Sequence, residues 1–172
     1  MSTRLKVGDA LPSVGLRATD GYLLNLRSWV TRQPVLLLFF AGPSLSGEAE
    51  RRGTEIVAAL SEGYSRLRDV GIAAVAISVD SQVDQAAYAS KLKLPFLLLS
   101  DERRSAVELL GIETKAANGN VNVARPVAMA VDHEGIIRAV IDPIDPPSLV
   151  DRAIRSILPP VRRTTEEASV AS

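Results

Sequence analysis

The strongest constraint on this chain is one uncharged stretch together with the turn and helix start behind it. Val35-Leu36-Leu37-Leu38-Phe39-Phe40-Ala41 runs into Gly42-Pro43-Ser44-Leu45-Ser46-Gly47, then Glu48-Ala49-Glu50. An unbroken apolar run of strand length belongs in a sheet covered on both faces. Gly42 and Pro43 end it. Ser44 or Ser46 is expected to accept a hydrogen bond from the free amides that open the next helix, whose positive end suits Glu48 and Glu50. In α/β folds ligands usually bind in the loop leaving a strand's carboxyl end. The candidate site is therefore placed in this loop.

The rest of the chain alternates strand and helix signals around that stretch. Thr19-Asp20-Gly21-Tyr22 lies between two short apolar pieces and predicts an N-terminal hairpin. Trp29 is read as a core anchor. Ala49, Ile56, Val57, Leu60, Tyr64 and Leu67 recur at helical spacing and predict a long helix over Glu48–Asp69, closed by Gly71. A β-branched strand is expected over 72–80 and a helix capped by Asp80 or Ser81 over 83–92. A third strand is expected in 94–101 and a short helix over 102–110, with Ser100 and Asp101 read as caps. Residues 115–122 are polar and rich in Gly and Asn, and are read as an exposed loop. Two apolar runs around Asp132-His133-Glu134-Gly135 predict a β-hairpin, with His133 in its exposed turn. Pro146 is expected to start a last helix with Leu149, Val150, Ala153, Ile154 and Ile157 inward. This order gives an α/β class: a mixed central sheet flanked by helices, one domain over 1–160 and a frayed tail over 161–172.

The chain has 172 residues, with 20 Lys plus Arg against 20 Asp plus Glu. That balance provides no general attraction to nucleic acid or to an anionic membrane. The first residues lack the apolar segment of a secretory signal, and no run is long enough to span a bilayer, so a cytoplasmic location is expected. There is no cysteine, which removes disulfides, thiolate metal sites and thiol redox chemistry together. With one histidine, His133, no multi-histidine metal centre can form. No metal and no cofactor is expected.

Several segments resemble one known family. A strand ending in Phe39-Phe40, then a short loop entering a long helix, is similar to the active-site segment of the peroxiredoxins, the alkyl-hydroperoxide-reductase and thiol-specific-antioxidant branch of the thioredoxin fold. The opening Gly8-Asp9-x-x-Pro12, the segment Leu94-Pro95-Phe96 before Ser100-Asp101, and Arg125-Pro126 followed by Asp132-x-x-Gly135-x-Ile137-Arg138 resemble that family in its own order, over roughly residues 7–158. The resemblance implies a thioredoxin-like three-layer sandwich. It also implies a reactive cysteine at the helix start, and this chain has none. Counting without a gap from Phe39-Phe40, Leu45 falls on the first motif position and Glu48 on the essential cysteine. With a one-residue slip, Ser44 and Gly47 take those places.

The same resemblance makes Arg125 the arginine facing the former thiolate and Pro126 the candidate cis-proline. Glu48 and Arg125 are therefore the candidate catalytic pair. Phe40, Pro43, Ser44, Leu45, Ser46, Gly47 and Pro126 are the candidate binding residues. Glu48 equally suits a plain first-turn acid facing solvent. A serine nucleophile needs a base beside it, and His133 is placed far from the loop, so capping is the better reading of Ser44 and Ser46. Three functions stay open. The protein has lost thiol chemistry and uses the pocket to bind a small molecule or partner. Alternatively, Glu48 and Arg125 run cofactor-free acid–base chemistry on a small organic substrate. The third is a thiol peroxidase whose cysteine has been substituted away, which ranks last because Glu48 is neither serine nor alanine. Exposure of Glu48 favours binding; its burial with a displaced pKa favours acid–base chemistry. A homodimer is expected from the family resemblance.

Overall fold

The computed structural model describes residues 3–44, 47–117 and 120–158. At its centre, β3 (Val35–Phe39) is fully buried at every position. It lies between β4 (Ala73–Ser78), which runs parallel to it, and β8 (Val127–Val131), which runs antiparallel. The pleat sorts the apolar run between two cores. Val35, Leu37 and Phe39 face one layer with Leu26, Val107 and Leu110. Leu36, Leu38 and Phe40 face the other with Ile56, Val57, Leu60 and Leu149. Burying one such Leu or Phe contributes about 1.5–3 kcal/mol, so an apolar residue at every position follows from the two-sided cover.

The sheet has seven strands in the order β2-β1-β5-β4-β3-β8-β9. The expected N-terminal hairpin is β1 (Gly15–Ala18) and β2 (Leu23–Asn25), and β1 also pairs with β5 (Leu97–Ser100). Strand β9 (Ile137–Ile141) closes the other edge against β8. Helices α1 (Leu26–Val30) and α4 (Ser105–Leu109) contribute buried residues to the first core, and α2 (Glu48–Asp69), α3 (Gln82–Leu92) and α5 (Leu149–Ile157) to the second. The three-layer thioredoxin-like architecture expected from the sequence is therefore present.

Helix α2 keeps the bounds its periodicity predicts. Ser81 caps α3, its side chain accepting the Asp84 amide at 3.2 Å. The N-cap position of α4 falls to Arg104, and Asp101, buried, accepts the first-turn amides of Ala106 and Val107 at 2.9 Å each. Burial pushes the Asp101 carboxyl above its ordinary value against those two bonds. Trp29 is half-buried and packs on the first core, and His133 is exposed in its turn.

Two expectations are corrected. The polar stretch read as a loop contains β6 (Thr114–Ala117) paired antiparallel with β7 (Asn120–Ala124). The alternation Asn120, Val121, Asn122, Val123 is the strand signal within the stretch. Among the described residues the cis peptide bond precedes Pro143, after Asp142, and the bond before Pro126 is trans. Residues 159–172, which include the expected tail, lie outside the described residues, as do Leu45 and Ser46.

Candidate functional site

The loop after β3 leaves the sheet at Phe40, whose amide donates to the Ile77 carbonyl at 3.1 Å and whose ring stacks on Tyr88 of α3, centroids 6.2 Å apart. Two close approaches fix its path. A Cβ on Gly42 would lie 1.8 Å from Asp80 Oδ2, and one on Gly53 would lie 2.1 Å from the Ala41 carbonyl oxygen. Any side chain at Gly42 collides with Asp80, and any at Gly53 pushes α2 off the loop backbone.

Asp80 holds the loop from below. It is 3 % exposed at the carboxyl end of β4. Its Oδ1 accepts the Ser44 amide at 2.7 Å and its Oδ2 accepts the Ser78 hydroxyl at 2.5 Å. Ser100 donates to the Asp80 carbonyl at 2.7 Å. Gln85, fully buried, donates through Nε2 to Ser78 Oγ at 2.9 Å and to the Leu99 carbonyl at 2.8 Å, while its Oε1 has no partner among the described residues. Each donor points at an oxygen, so the Gln85 amide cannot be turned round without facing the Leu99 carbonyl with another oxygen. The sequence pattern gives Asp80 only a capping role. Ser81 takes that role, and nothing local in the sequence marks Asp80 as the loop's anchor.

Among the described residues no side chain caps α2, and Ser46, one of the two expected caps, lies outside them. Gly47 is the N-cap residue of α2 and has no side chain to offer, and Ser44 binds Asp80 through its backbone. Glu48 opens the helix in solvent, 87 % exposed, and pairs with Arg51 one turn later at 2.7 Å. The Arg51 hydrogen bond, then its charge, hold the Glu48 carboxyl below its ordinary value, and Glu48 raises Arg51 in return. Arg125, half exposed, pairs with Glu113 at 2.5 Å, and its amide donates to the Glu113 carbonyl at 2.9 Å. The expected pairing of Glu48 with Arg125 is therefore replaced by two local pairs. An i, i+3 neighbour on the same helix and a residue across a short segment meet at less entropic expense than partners on separate elements. Of the candidate binding residues, Phe40 is buried, Pro43 and Pro126 are half-buried, and Ser44 and Gly47 are exposed.

Among the described residues a concave feature adjoins the loop. A cleft of about 410 Å³ lies between α2 and α3 and is bordered by Pro43. At it Thr54 Oγ1 and the Tyr88 hydroxyl are 2.8 Å apart. Burial pushes the Tyr88 phenol above its ordinary value; the Thr54 bond opposes that shift, and the Glu50 and Asp80 charges reinforce it. Sequence reasoning does not bring Tyr88 to the site, because the α3 pattern is weak and its partner is on another helix. Among the described residues no group of His, Asp and Glu is arranged to hold a metal ion. None of the described helices is long and apolar enough to cross a membrane.

A mixed sheet between helix layers, with a loop and helix start at the end of its central strand, defines a thioredoxin-like protein. Residues 7–140 match the family model described as AhpC/TSA family, and the chain belongs to that family. It is 28 % identical over 140 residues to peroxiredoxin Bcp of Escherichia coli, covering 80 % of this chain and 86 % of the relative. It is 32 % identical over 99 residues to a chloroplastic peroxiredoxin Q of Populus jackii, covering 58 % of this chain and 44 % of the relative. The match thus takes in less than half the length of that chloroplast protein. The crystal structure of peroxidoxin BcpB from Mycobacterium tuberculosis superposes with a TM-score of 0.76 at 21 % identity, over 89 % of this chain and 96 % of that one. That likeness concerns the fold.

Proposed function

We propose that this protein is a peroxiredoxin-family member without thiol peroxidase activity, and that it works by binding a small molecule beside the loop of residues 41–47. The observation that carries the reading is the sequence itself. The chain has no cysteine, and the resemblance places Glu48, or with a one-residue slip Gly47, where the essential thiol belongs. A carboxylate keeps a negative charge at a helix amino end but has no sulfur to oxidise and reduce. The exposure of Glu48 and its lowered pKa favour binding over acid–base catalysis, since a general base at neutral pH needs a pKa raised toward the working range. Asp80, Gly42 and Gly53 support residues 41–44, as a preformed binding surface needs.

A cytoplasmic location and assembly as a homodimer belong to the same reading. Light scattering at high protein concentration checks the second, and a monomer mass rejects it.

The decisive experiment has two arms on the full-length, metal-free protein. Peroxide consumption is followed with a dithiol reductant, and a metabolite panel is screened by thermal shift. No turnover together with a saturable stabilising ligand is expected. Steady peroxide consumption overturns the loss of peroxidase activity, and a panel without a stabilising ligand overturns the binding role.

A further inference from the structure

We propose that the cleft between α2 and α3 is a binding site for a small apolar zwitterion, a molecule of amino-acid size with an ammonium group and a carboxylate. The proposal deepens the small-molecule binding role, rests on it, and assigns the site and the ligand class.

Three features converge on the cleft. The first is spacing. Asp84, Tyr88 and Lys91 stand at i, i+4 and i+7 on α3 and so share one face, and Glu50 and Thr54 stand at i and i+4 on α2. The two helices therefore present one stripe each to the same 410 Å³ space, a volume within the range of small-molecule sites. Pro43 is among its lining residues, so the cleft touches the loop that Asp80 holds.

The second feature is charge. Glu50, Asp84 and Lys91 line the space, and among the described residues none of them has an ion-pair partner. Elsewhere on α2 the pattern is different, since Glu48 is paired with Arg51 and Arg66 with Asp151. Two acids and one base leave the cleft acidic overall. That disfavours a phosphate or dicarboxylate and favours a ligand that brings an ammonium to Glu50 and Asp84. Lys91 stands about two turns from Asp84 along α3, on the order of 10 Å between Cα positions, so the long lysine side chain can reach back to a carboxylate beside a bound ammonium.

The third feature is the floor. Tyr88 is 8 % exposed and hydrogen-bonded to Thr54, so the hydroxyl pair is fixed before any ligand arrives. The phenol keeps its proton, because burial and nearby acids oppose its ionisation. With Leu92 and Pro43 alongside, the remaining surface is apolar and suits a branched aliphatic side chain.

The test uses L-leucine as the probe, with leucinamide and N-acetyl-leucine as single-charge controls, read by amide chemical shifts of the isotope-labelled full-length protein. Leucine should shift the amides of Thr54, Ala87 and Tyr88 saturably, leucinamide more weakly, and N-acetyl-leucine not at all. Lys91→Met should weaken leucine about tenfold, the equivalent of one charge-assisted hydrogen bond, and leave leucinamide unchanged. Asp84→Asn should weaken both. Shifts centred on residues 41–44 with the cleft amides still would overturn this site and leave the binding role standing. No saturable shift with leucine, or affinities indifferent to both substitutions, overturns the proposal outright.

Discussion

Gly53→Ala separates two effects of opposite sign in the middle of α2. At a solvent-exposed helix position, alanine in place of glycine stabilises by about 0.8–1.0 kcal/mol. At Gly53 the new Cβ would fall 2.1 Å from the Ala41 carbonyl oxygen, 3.2 Å from the Ala41 carbonyl carbon and 3.4 Å from Phe40 Cδ2. The first two are backbone atoms, so no side chain can swing away. Helix α2 or the loop must retreat by more than an ångström, and the helix is pinned by fully buried Ile56, Val57 and Leu60. Overpacking of this kind costs about 1–3 kcal/mol. After the propensity gain, a net loss of up to about 2 kcal/mol is expected, a fall of up to about 4–8 °C in Tm for a domain of this size. Urea unfolding with an unchanged m value is the assay. Ala58→Gly, at an exposed position of the same helix, measures propensity alone and should destabilise by about 1 kcal/mol. Both substitutions then destabilise, although they are chemical opposites. A Gly53→Ala protein more stable than the wild type would show that the loop does not rest on this helix, and would refute the reasoning.

Asp80→Ala should cost about 2 kcal/mol, chiefly because the buried Ser78 hydroxyl loses its acceptor, and hydrogen exchange at the Ser44 amide should accelerate; an unchanged Tm and unchanged exchange would contradict the anchoring role. Burial pushes the Asp132 carboxyl up, but the Ile136 amide, Arg138 and the Glu134 amide outweigh it and hold it below its ordinary value. Its stabilisation is therefore present above the unfolded-state value, roughly pH 3.9, and is lost as pH falls through the lower folded-state value. Asp132→Asn should accordingly lower Tm at neutral pH and converge with the wild type on the acid side, and a constant difference across the titration would rule this out. Glu48→Gln should leave Tm unchanged, and Arg125→Ala should cost less than about 1 kcal/mol, as exposed pairs do. A loss near 3 kcal/mol for Arg125→Ala would instead reveal a buried charge partner.

The legible part of the sequence was local. The run from Val35 to Phe39 announces a strand covered on both faces because every residue in it is apolar, and periodicity sets both ends of α2 because its acidic first turn and Gly71 flank it. The fold emerges from such elements in their order. Legibility ends where position depends on partners from elsewhere in the chain. Resemblance assigns Arg125 to Glu48, yet Glu113 lies across the segment it closes and Arg51 sits one helical turn from Glu48. Resemblance also gives Pro126 the cis bond that Pro143 carries. Thr54 and Tyr88 lie on different helices, and their hydroxyl contact leaves no trace in either local pattern.

Asp80 shows why the polar part of the candidate site is harder to read than the apolar part. An apolar residue declares its burial by its type, whereas a buried carboxylate is stable only through the donors that meet it. Those donors come from Ser44 on the loop and Ser78 two residues earlier, with Gln85 bracing Ser78 from α3. Removing any one leaves a buried group without its partner, so the four act together, and Gly42 is the residue that lets the carboxylate come close. Such a cradle holds the loop backbone at Ser44 without using the Ser44 side chain. Among the described residues of the loop Pro43 borders the cleft beside Tyr88, whereas Glu48 is not in its lining.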